Sequence, residues 1–218
     1  MARHDVFVTG ATGYIGSALI PALLERGHGV RALVRRGRSW MGLQAGALAI
    51  HGDALDAKSF RDAITPADTF LHLVGTRRPS PAKAQQFREV DLVSIRAALE
   101  AATHAHVKHF IYLSVAHPAP IMAAYIAVRQ EGETLVRESG LPATIVRPWY
   151  VLGPGRRWPL ALAPIYGMLE RIPATREIAT RLALVTITEM TAALVHAIEN
   201  PPDALRILSV PEIRAAVP

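Results

Sequence analysis

Short apolar runs alternate along the chain with longer segments in which apolar residues recur at helical spacing. The apolar runs cover residues 6–8, 30–34, 47–50, 69–74, 110–113 and 144–146. Helical spacing covers residues 14–26, 87–102 and 123–138, and Gly27 stands where the first of these helices would end. Short apolar strands separated by helices of about ten or more residues are typical of βαβ units. The pattern therefore predicts an α/β fold with a doubly wound parallel sheet that helices cover on both faces.

The alternation changes after residue 152. Residues 153–164 are rich in glycine and proline, and helical spacing returns at residues 165–171 and 188–199. Ligands of doubly wound sheets bind beyond the carboxyl ends of the strands. We therefore predict a core over residues 1–152 and, in the same domain, a small C-terminal lobe on the substrate side over residues 153–218. The apolar stretch 158–169 is compatible with a lid, a dimer contact or a membrane-surface patch.

The composition excludes several classes of protein. The chain has 218 residues, of which 50% are hydrophobic and 19% charged, as in ordinary globular domains. The absence of cysteine excludes disulfides, thiolate metal sites, iron–sulfur clusters and cysteine nucleophiles. The chain starts without a signal-peptide pattern, and no apolar run approaches the roughly 18 residues that cross a bilayer. We expect a cytoplasmic protein with no membrane span, and the sequence leaves room for a homo-oligomer.

The net charge of +6 comes almost entirely from arginine, since Lys58, Lys83 and Lys108 are the only lysines. The arginines are scattered and lack interleaved aromatic residues, so we predict a few anion-binding arginines and no nucleic-acid partner. Of the nine histidines, three lie close together in sequence but on different faces of a helix end and a strand start, so no metal site is predicted.

A glycine-rich turn follows the first predicted strand. Residues 9–16 read TGATGYIG and open the first helix, with glycines in a G-x-x-G-x-x-G spacing. In a Rossmann-type fold, Gly10 would form the tight turn, Gly13 would admit the pyrophosphate of a dinucleotide, and Gly16 would let the helix pack closely. The helix N-terminus offers free N–H groups to the phosphates. The turn predicts dinucleotide contacts at Gly10, Thr12, Gly13, Tyr14 and Ile15; the alternative is a glycine-rich turn that binds nothing.

The ends of the second and third strands bear on the choice of cofactor. NAD-specific folds place an acidic residue after the second strand, whereas this chain has Arg35 and Arg36 there. An arginine side chain can bind a 2′-phosphate, so the sequence favours NADP(H) over NAD(H). Arg35 is the stronger candidate, and the alternative for Arg36 is a solvated surface charge. After the third strand, Asp53 and Ala54 either contact the adenine or, through the Asp53 carboxylate, cap the following segment.

These segments together resemble the short-chain dehydrogenase/reductase superfamily, and most of all its atypical, NmrA-like NAD(P)-binding branch. The motifs that carry the resemblance are TGATGYIG, LVRR, GD at 52–53, LVG at 73–75, VDLVSIRAALEAA at 90–102, YLS at 112–114, YxxxR at 125–129 and SGLPATIVRPWYVLGPG at 139–155. The last of these is similar to the family segment that passes the nicotinamide. The resemblance implies further cofactor contacts at Leu73, Val74, Gly75, Pro148 and Trp149.

The same resemblance implies a catalytic set. Active members of the superfamily use a serine that orients the substrate oxygen, a tyrosine that transfers a proton, and a lysine that lowers the pKa of the tyrosine and bonds the nicotinamide ribose. The matching residues are Ser114, Tyr125 and Arg129, so the lysine has become arginine. Tyr125 and Arg129 are four residues apart on a helix and share a face. A guanidinium keeps the positive charge, but its planar shape differs from that of an ammonium.

These residues support three hypotheses. The first is an NADP(H)-dependent oxidoreductase that acts on a small carbonyl or alcohol. The second is a non-catalytic NADP(H)-binding redox sensor or assembly subunit, which the exchange of lysine for arginine favours. The third, a sugar-nucleotide epimerase or dehydratase, suits the short C-terminal lobe least. Asp91, at a position where extended relatives often carry asparagine, needs no function as a polar residue within a helix. His117, Trp149, Tyr150 and Trp158 are candidates for lining a substrate pocket, with core packing as the alternative for the aromatic three.

Overall fold

The structure is a computed structural model that describes residues 2–35, 37, 45–155 and 173–216, without the side chains of residues 173–176. Arg36, Trp158, the helix predicted at residues 165–171 and the apolar stretch 158–169 lie outside the described residues.

The described residues form a parallel sheet and a separate strand pair. The strands are β1 (Asp5–Thr9), β2 (Gly29–Val34), β3 (Leu48–His51), β4 (Thr69–His72), β5 (His109–Leu113), β6 (Ala143–Val146), β7 (Tyr150–Leu152), β8 (Leu184–Thr186) and β9 (Leu205–Leu208). Seven strands pair in the order β3-β2-β1-β4-β5-β6-β9, and every pairing is parallel. The strands β7 and β8 pair only with each other in this part of the chain. The predicted doubly wound sheet is confirmed.

Helices connect the strands and cover both faces of the sheet. The α-helices are α1 (Tyr14–Glu25), α2 (Ala84–Gln86), α3 (Val93–His104), α4 (Ala123–Glu138), α5 (Pro173–Arg181), α6 (Ile187–Glu199) and α7 (Val210–Ala215). A π-helical segment, Phe87–Leu92, joins α2 to α3, so the helix expected over residues 87–102 is present but changes its winding at the start. None of the described helices combines the length and the apolar character that a membrane span requires.

The side chains of β1 divide the core into two layers because neighbouring residues of a strand point to opposite faces. Val6 and Val8 pack in the layer beneath α1 and α6, whereas Phe7 packs in the layer beneath α3 and α4. In the second layer the ring of Phe70 lies 5.2 Å from that of Phe7 and 5.3 Å from that of Phe110, measured between centroids. The sheet is thus covered on both faces, as its apolar strands require.

The C-terminal residues complete this architecture. The strand β9 pairs with β6 at the edge of the sheet, and α6 packs against α1. The four-residue strand Leu205–Leu208 was not predicted, since Leu205 and Ile207 remain exposed and its pattern is too short to identify a strand. The strands β7 and β8 were also missed, because each has three residues.

The strand order reverses between β1 and β4, and the backbones meet there. Thr9 lies beside His72 in the register, and the amide of Leu73 donates to the carbonyl of Thr9 at 3.0 Å. Gly10, which follows β1, has a φ of 75°, and a Cβ at this position would lie 2.7 Å from the carbonyl carbon of Leu73. Only glycine permits this close approach of the two backbones. The reversal of strand order at the same place opens the crevice where doubly wound folds bind ligands.

Two buried histidines support the sheet. The Nδ1 of His72 lies 2.9 Å from the hydroxyl of Thr9, and the Nε2 of His109 lies 2.9 Å from the hydroxyl of Thr144. Burial, with a smaller contribution from Arg129, lowers the pKa of His72 to about 3. Burial, followed by the charge of Arg206, lowers the pKa of His109 to about 4. Both rings are therefore neutral in the folded protein near neutral pH.

We expect Gly10→Ala to destabilise the protein by clearly more than Gly27→Ala. Both glycines have positive φ values, 75° and 81°, but a Cβ on Gly27 would meet nothing within 4 Å. The Gly27 variant therefore measures backbone strain alone, about 1–2 kcal/mol, and the excess in the Gly10 variant measures the steric conflict with β4. Urea unfolding of the two variants checks this; equal losses would contradict the close approach.

We expect acid to destabilise the protein between pH 6.5 and about 4 in part through His109. The unfolded chain protonates this ring below its ordinary pKa while the folded chain keeps it neutral, so the contribution is complete above pH 6.5 and is lost as the pH falls. His109→Gln should reduce the slope of unfolding free energy against pH by up to about 1.4 kcal/mol per unit. Urea unfolding across this range is the measurement. The exposed His104→Gln serves as control, and an equal change in both variants would contradict the assignment.

Candidate functional site

The glycine turn is built to receive an anion at the start of α1. Gly13 is the N-cap of this helix, no side chain caps it, and its amide donates to the carbonyl of Gly10 at 2.9 Å. A Cβ on Gly16 would lie 2.6 Å from the carbonyl oxygens of both Gly10 and Ala11, so Gly16 packs against the turn itself. Thr12 and Gly13 are exposed. The backbone here forms a cradle that side chains would fill.

A dinucleotide suits this turn on three counts: the uncapped helix N-terminus, the glycines and the position at the strand-order reversal. Tyr14 and Ile15 are partly buried, with the hydroxyl of Tyr14 against Gly153. The backbone of Gly10, Thr12 and Gly13 would hold the phosphates, beside Tyr14 and Ile15 in the first turn of α1.

The ends of β2 and β3 lie side by side at the same edge. The amide of Gly52 donates to the carbonyl of Val34 at 3.1 Å, so Arg35 and Asp53 both follow paired strands at this edge of the sheet. Both residues are exposed, and Ala54 is partly buried. The carboxylate of Asp53 accepts from the amide of Leu55 at 3.0 Å. Asp53 thus closes a local turn and remains exposed to solvent. The cap of the following 3-10 helix, Ala57–Ser59, which the sequence offered as one of the two roles of Asp53, is made by Asp56.

Tyr125 and Arg129 come together on the inner face of α4. The guanidinium carbon of Arg129 lies 5.2 Å from the centre of the Tyr125 ring, which packs at 5.0 Å against the ring of Phe87. Tyr125 is partly buried, whereas Arg129 is 3% exposed. The two side chains are therefore in contact, as predicted, with Tyr125 nearer to solvent and Arg129 nearer to the sheet.

Arg129 is held by protein acceptors at the ends of two strands. It donates to the carbonyl of Leu113 at 3.0 Å and to that of Val74 at 3.4 Å. Its Nη2 lies 2.7 Å from a carboxylate oxygen of Asp91, which is also buried. Burial opposes the charge of Arg129, but the neighbouring Tyr125, Tyr112 and Asp91 outweigh it and raise the pKa of the guanidinium above its ordinary value.

Asp91 is the residue of this site that sequence analysis missed. Its second carboxylate oxygen accepts from the amide of Thr76 at 2.9 Å and from the hydroxyl of Thr76 at 2.6 Å. The available signal was a double departure from the family pattern, since arginine replaces the lysine while an acid stands where extended relatives often carry asparagine. An added acid together with an arginine that can bind a carboxylate in a bidentate manner indicates an ion pair.

Ser114 is buried, and its hydroxyl donates to Glu133 of α4 at 2.6 Å. Arg147 and Arg137 also bind this carboxylate, and the Nε2 of His117 lies 3.3 Å from it. Burial opposes the ionised form, but the bonds from Arg147 and Ser114 hold the pKa of Glu133 below its ordinary value. Glu133 thus ties α4 to the residues that follow β5 and β6.

The remaining predicted residues line the same edge of the sheet. Leu73, Val74 and Gly75 follow β4 and are partly buried. Pro148 is buried, with its carbonyl accepting from Ala116 at 2.9 Å, and Trp149 packs against the core. His117 is partly buried between Glu133 and Gln130, and Tyr150 begins β7. Within the described ranges, no group of three or more acidic, histidine or cysteine residues is placed to hold a metal ion.

Comparison with known proteins identifies the family of this chain. Residues 10–156 match the family model described as NAD(P)H-binding. The ceramide reductase of Caulobacter vibrioides is 29% identical over 216 residues, which cover 98% of this chain and 66% of the relative. The photosystem II assembly factor Ycf39 of Cyanophora paradoxa is 31% identical over 145 residues, covering 66% of this chain and 44% of the relative.

A solved short-chain dehydrogenase/reductase superfamily protein from Agrobacterium tumefaciens with bound NAD superposes with a TM-score of 0.70 at 21% identity, covering 97% of this chain and 82% of the other. The chain spans about half to two thirds of the length of the two curated relatives. The matched range begins at Gly10 in the glycine turn and spans the end of β4 and residues 125–129. The chain therefore belongs to the NAD(P)H-binding family, on the Rossmann fold of the short-chain dehydrogenases/reductases, and its cofactor is a nicotinamide dinucleotide.

Proposed function

We propose that the protein is an oxidoreductase that uses NADP(H) to interconvert a carbonyl group and an alcohol of a small molecule. The observation that carries this proposal is the placement of Tyr125 over the buried cation of Arg129, at the sheet edge that holds the glycine turn. A proton donor with a fixed positive charge beside it is what carbonyl reduction requires of the protein. The ceramide reductase relative, by its name, carries out a reduction.

Tyr125 gives its phenolic proton to the substrate oxygen when a carbonyl is reduced, and takes a proton back in the reverse direction. NADP(H), when bound, would supply the hydride to the substrate carbon or accept it from there. The positive charge of Arg129, 5.2 Å from the ring centre, stabilises the negative charge that the proton transfer leaves on Tyr125. Because Arg129 is 3% exposed, water screens this interaction little.

Ser114 is the proposed ligand of the substrate oxygen, and the structure sets a condition on that role. Its hydroxyl donates to Glu133, so it has to turn from the carboxylate to the substrate before it can donate there. Glu133 keeps Arg147 and Arg137 as partners when this happens. The carboxylate therefore remains compensated after Ser114 turns away.

NADP(H) is the proposed cofactor because Arg35 follows β2 and is exposed. A guanidinium at this strand end donates to a 2′-phosphate and has no acceptor for a ribose hydroxyl. The carboxylate of Asp53, after the neighbouring strand β3, accepts from the amide of Leu55.

A second candidate function is a non-catalytic NADP(H)-binding redox sensor or assembly subunit. The engagement of Arg129 with Asp91 and two strand-end carbonyls favours it, since the cation is committed to the protein. The Cyanophora relative is named an assembly factor. This candidate predicts cofactor binding that changes the affinity for a protein partner without turnover.

Arg35→Ala should weaken NADPH binding about tenfold or more and leave NADH binding nearly unchanged, because a lost charge-assisted bond to phosphate costs about 1.5–3 kcal/mol. Calorimetric titration of cofactor-free protein with both nucleotides is the measurement. Arg3→Ala, at the opposite end of β1, is the matched control. If wild type bound NADH as tightly as NADPH and the Arg35 variant behaved like the control, the preference for NADP(H) would be wrong.

Tyr125→Phe should lower kcat about 100-fold to 10,000-fold while leaving the dissociation constant of NADPH unchanged, since it removes only the proton donor. A panel of carbonyl substrates with saturating NADPH supplies the assay. Tyr112→Phe removes a buried phenol from the other side of Arg129 and should retain turnover. Absence of turnover across the panel, with intact cofactor binding, would replace the oxidoreductase by the non-catalytic candidate.

A further inference from the structure

Asp91 and Arg129 form a buried ion pair beneath the carboxyl ends of β4 and β5. Their side chains are 0% and 4% exposed, and the nitrogen Nη2 lies 2.7 Å from the oxygen Oδ1. Nη1 of Arg129 donates to the carbonyl of Leu113 at 3.0 Å, and both terminal nitrogens lie 3.4 Å from the carbonyl of Val74. Both terminal nitrogens of the guanidinium therefore already have protein acceptors.

The ion pair holds residues 74–76, which follow β4, through hydrogen bonds. Arg129 binds the carbonyl of Val74, and Asp91 accepts both the amide and the hydroxyl of Thr76. A Cβ on Gly75, between them, would overlap the guanidinium and lie 3.3 Å from Oδ1 of Asp91. Glycine at this position thus admits the ion pair, and the ion pair fixes the backbone on either side of it.

We propose that Asp91 and Arg129 are positioning residues that fix the backbone of residues 74–76 for the cofactor, and that Arg129 does not bind the nicotinamide ribose. This inference rests on the proposed function only in taking Val74 and Gly75 as part of the cofactor site. It assigns Arg129 a role different from that of the lysine in the family pattern.

Burial and charge support this assignment. A ribose ligand needs donors that reach the cofactor, whereas this guanidinium is enclosed and its terminal nitrogens are committed to Asp91, Val74 and Leu113. A buried charge that loses its partner is strongly unfavourable, whereas removing both charges together is often tolerated. The two residues should therefore behave as one unit, and removing both should do less harm than removing either.

The test is a double-variant cycle read by calorimetric binding. Asp91→Asn, Arg129→Met and the double variant are titrated with NADPH and with 2′,5′-ADP, a fragment without the nicotinamide ribose; NADH and ADP replace them if NADH is the preferred cofactor. We expect each single variant to weaken both ligands by the same factor, about tenfold, because the displaced residues 74–76 serve the whole cofactor. The double variant should also weaken both ligands by one common factor, smaller than that of either single variant, since the uncompensated charge is gone while the bond to the carbonyl of Val74 is still missing.

Two results would overturn the inference. One is that Arg129→Met weakens NADPH while leaving the fragment unchanged, which places Arg129 on the nicotinamide ribose. The other is that the double variant binds NADPH as weakly as Arg129→Met alone.

If either single variant does not fold, Arg129→Lys also distinguishes a ribose ligand from a positioning residue, because lysine keeps the positive charge. A ribose ligand predicts that lysine preserves NADPH affinity. Our inference predicts that NADPH and the fragment weaken together, since an ammonium cannot hold Asp91 and both carbonyls with the geometry of a planar guanidinium.

The exposed pair of Arg96 and Glu131 supplies the matched control, with an Nη2–Oε1 distance of 3.0 Å and side chains 58% and 39% exposed. The corresponding cycle, Arg96→Met with Glu131→Gln, should leave the affinities for NADPH and for the fragment unchanged.

The two proposals fail on different measurements. If the protein binds cofactor but reduces no substrate, the proposed function is wrong, while the binding cycle still tests the role of Asp91 and Arg129.

Discussion

The close approach of two backbones, at Gly10 and at Leu73, is the constraint on which the site depends. The turn after β1 can enter this space only without a side chain, because the carbonyl group of Leu73 occupies the place of a Cβ. The contact sets where α1 begins, and thereby where its uncapped amides point. It also fixes the start of residues 73–76, whose far end is held by Asp91 and Arg129. The glycine turn and the helix α4 are therefore both positioned by the same short piece of backbone, residues 73–76.

The helix α4 supplies the second half of the site through a polar inner face. Tyr125, Arg129 and Glu133 follow one another at intervals of four residues, so they lie on one side of the helix. Arg129 binds the ends of β4 and β5, while Glu133 binds Ser114 and Arg147 after β5 and β6. A helix packed only by apolar contacts can slide or rotate slightly against a sheet. Two buried ions with directional partners on three strand ends prevent such shifts and hold Tyr125 in place.

The sequence predicted the strands and the glycine turn, which depend on residues that are close together in the chain. Buried parallel strands are continuous apolar runs, and the glycine turn needs three small residues at fixed spacing between a strand and a helix. Most contacts of Asp91 and Glu133 could not be predicted in the same way. Apart from Arg137, one helical turn from Glu133, their partners lie 14 to 38 residues away, and helical periodicity indicates only that a polar residue is present. The strands β7, β8 and β9 escaped prediction because three or four residues carry too little pattern. The family resemblance placed Tyr125 and Arg129 together correctly, but it gave no indication that the arginine would be enclosed.

The buried ion pair also constrains how this sequence can change over evolutionary time. Losing one partner of such a pair costs about 3–5 kcal/mol, a large share of the roughly 5–15 kcal/mol that stabilises a typical domain. A lineage cannot readily exchange Arg129 for an uncharged residue or Asp91 for asparagine one at a time without passing through a weakened intermediate. The two positions should therefore change together among descendants of this chain. Relatives that carry both an acidic residue at the position of Asp91 and an arginine at that of Arg129 would form a separate line of descent within the family.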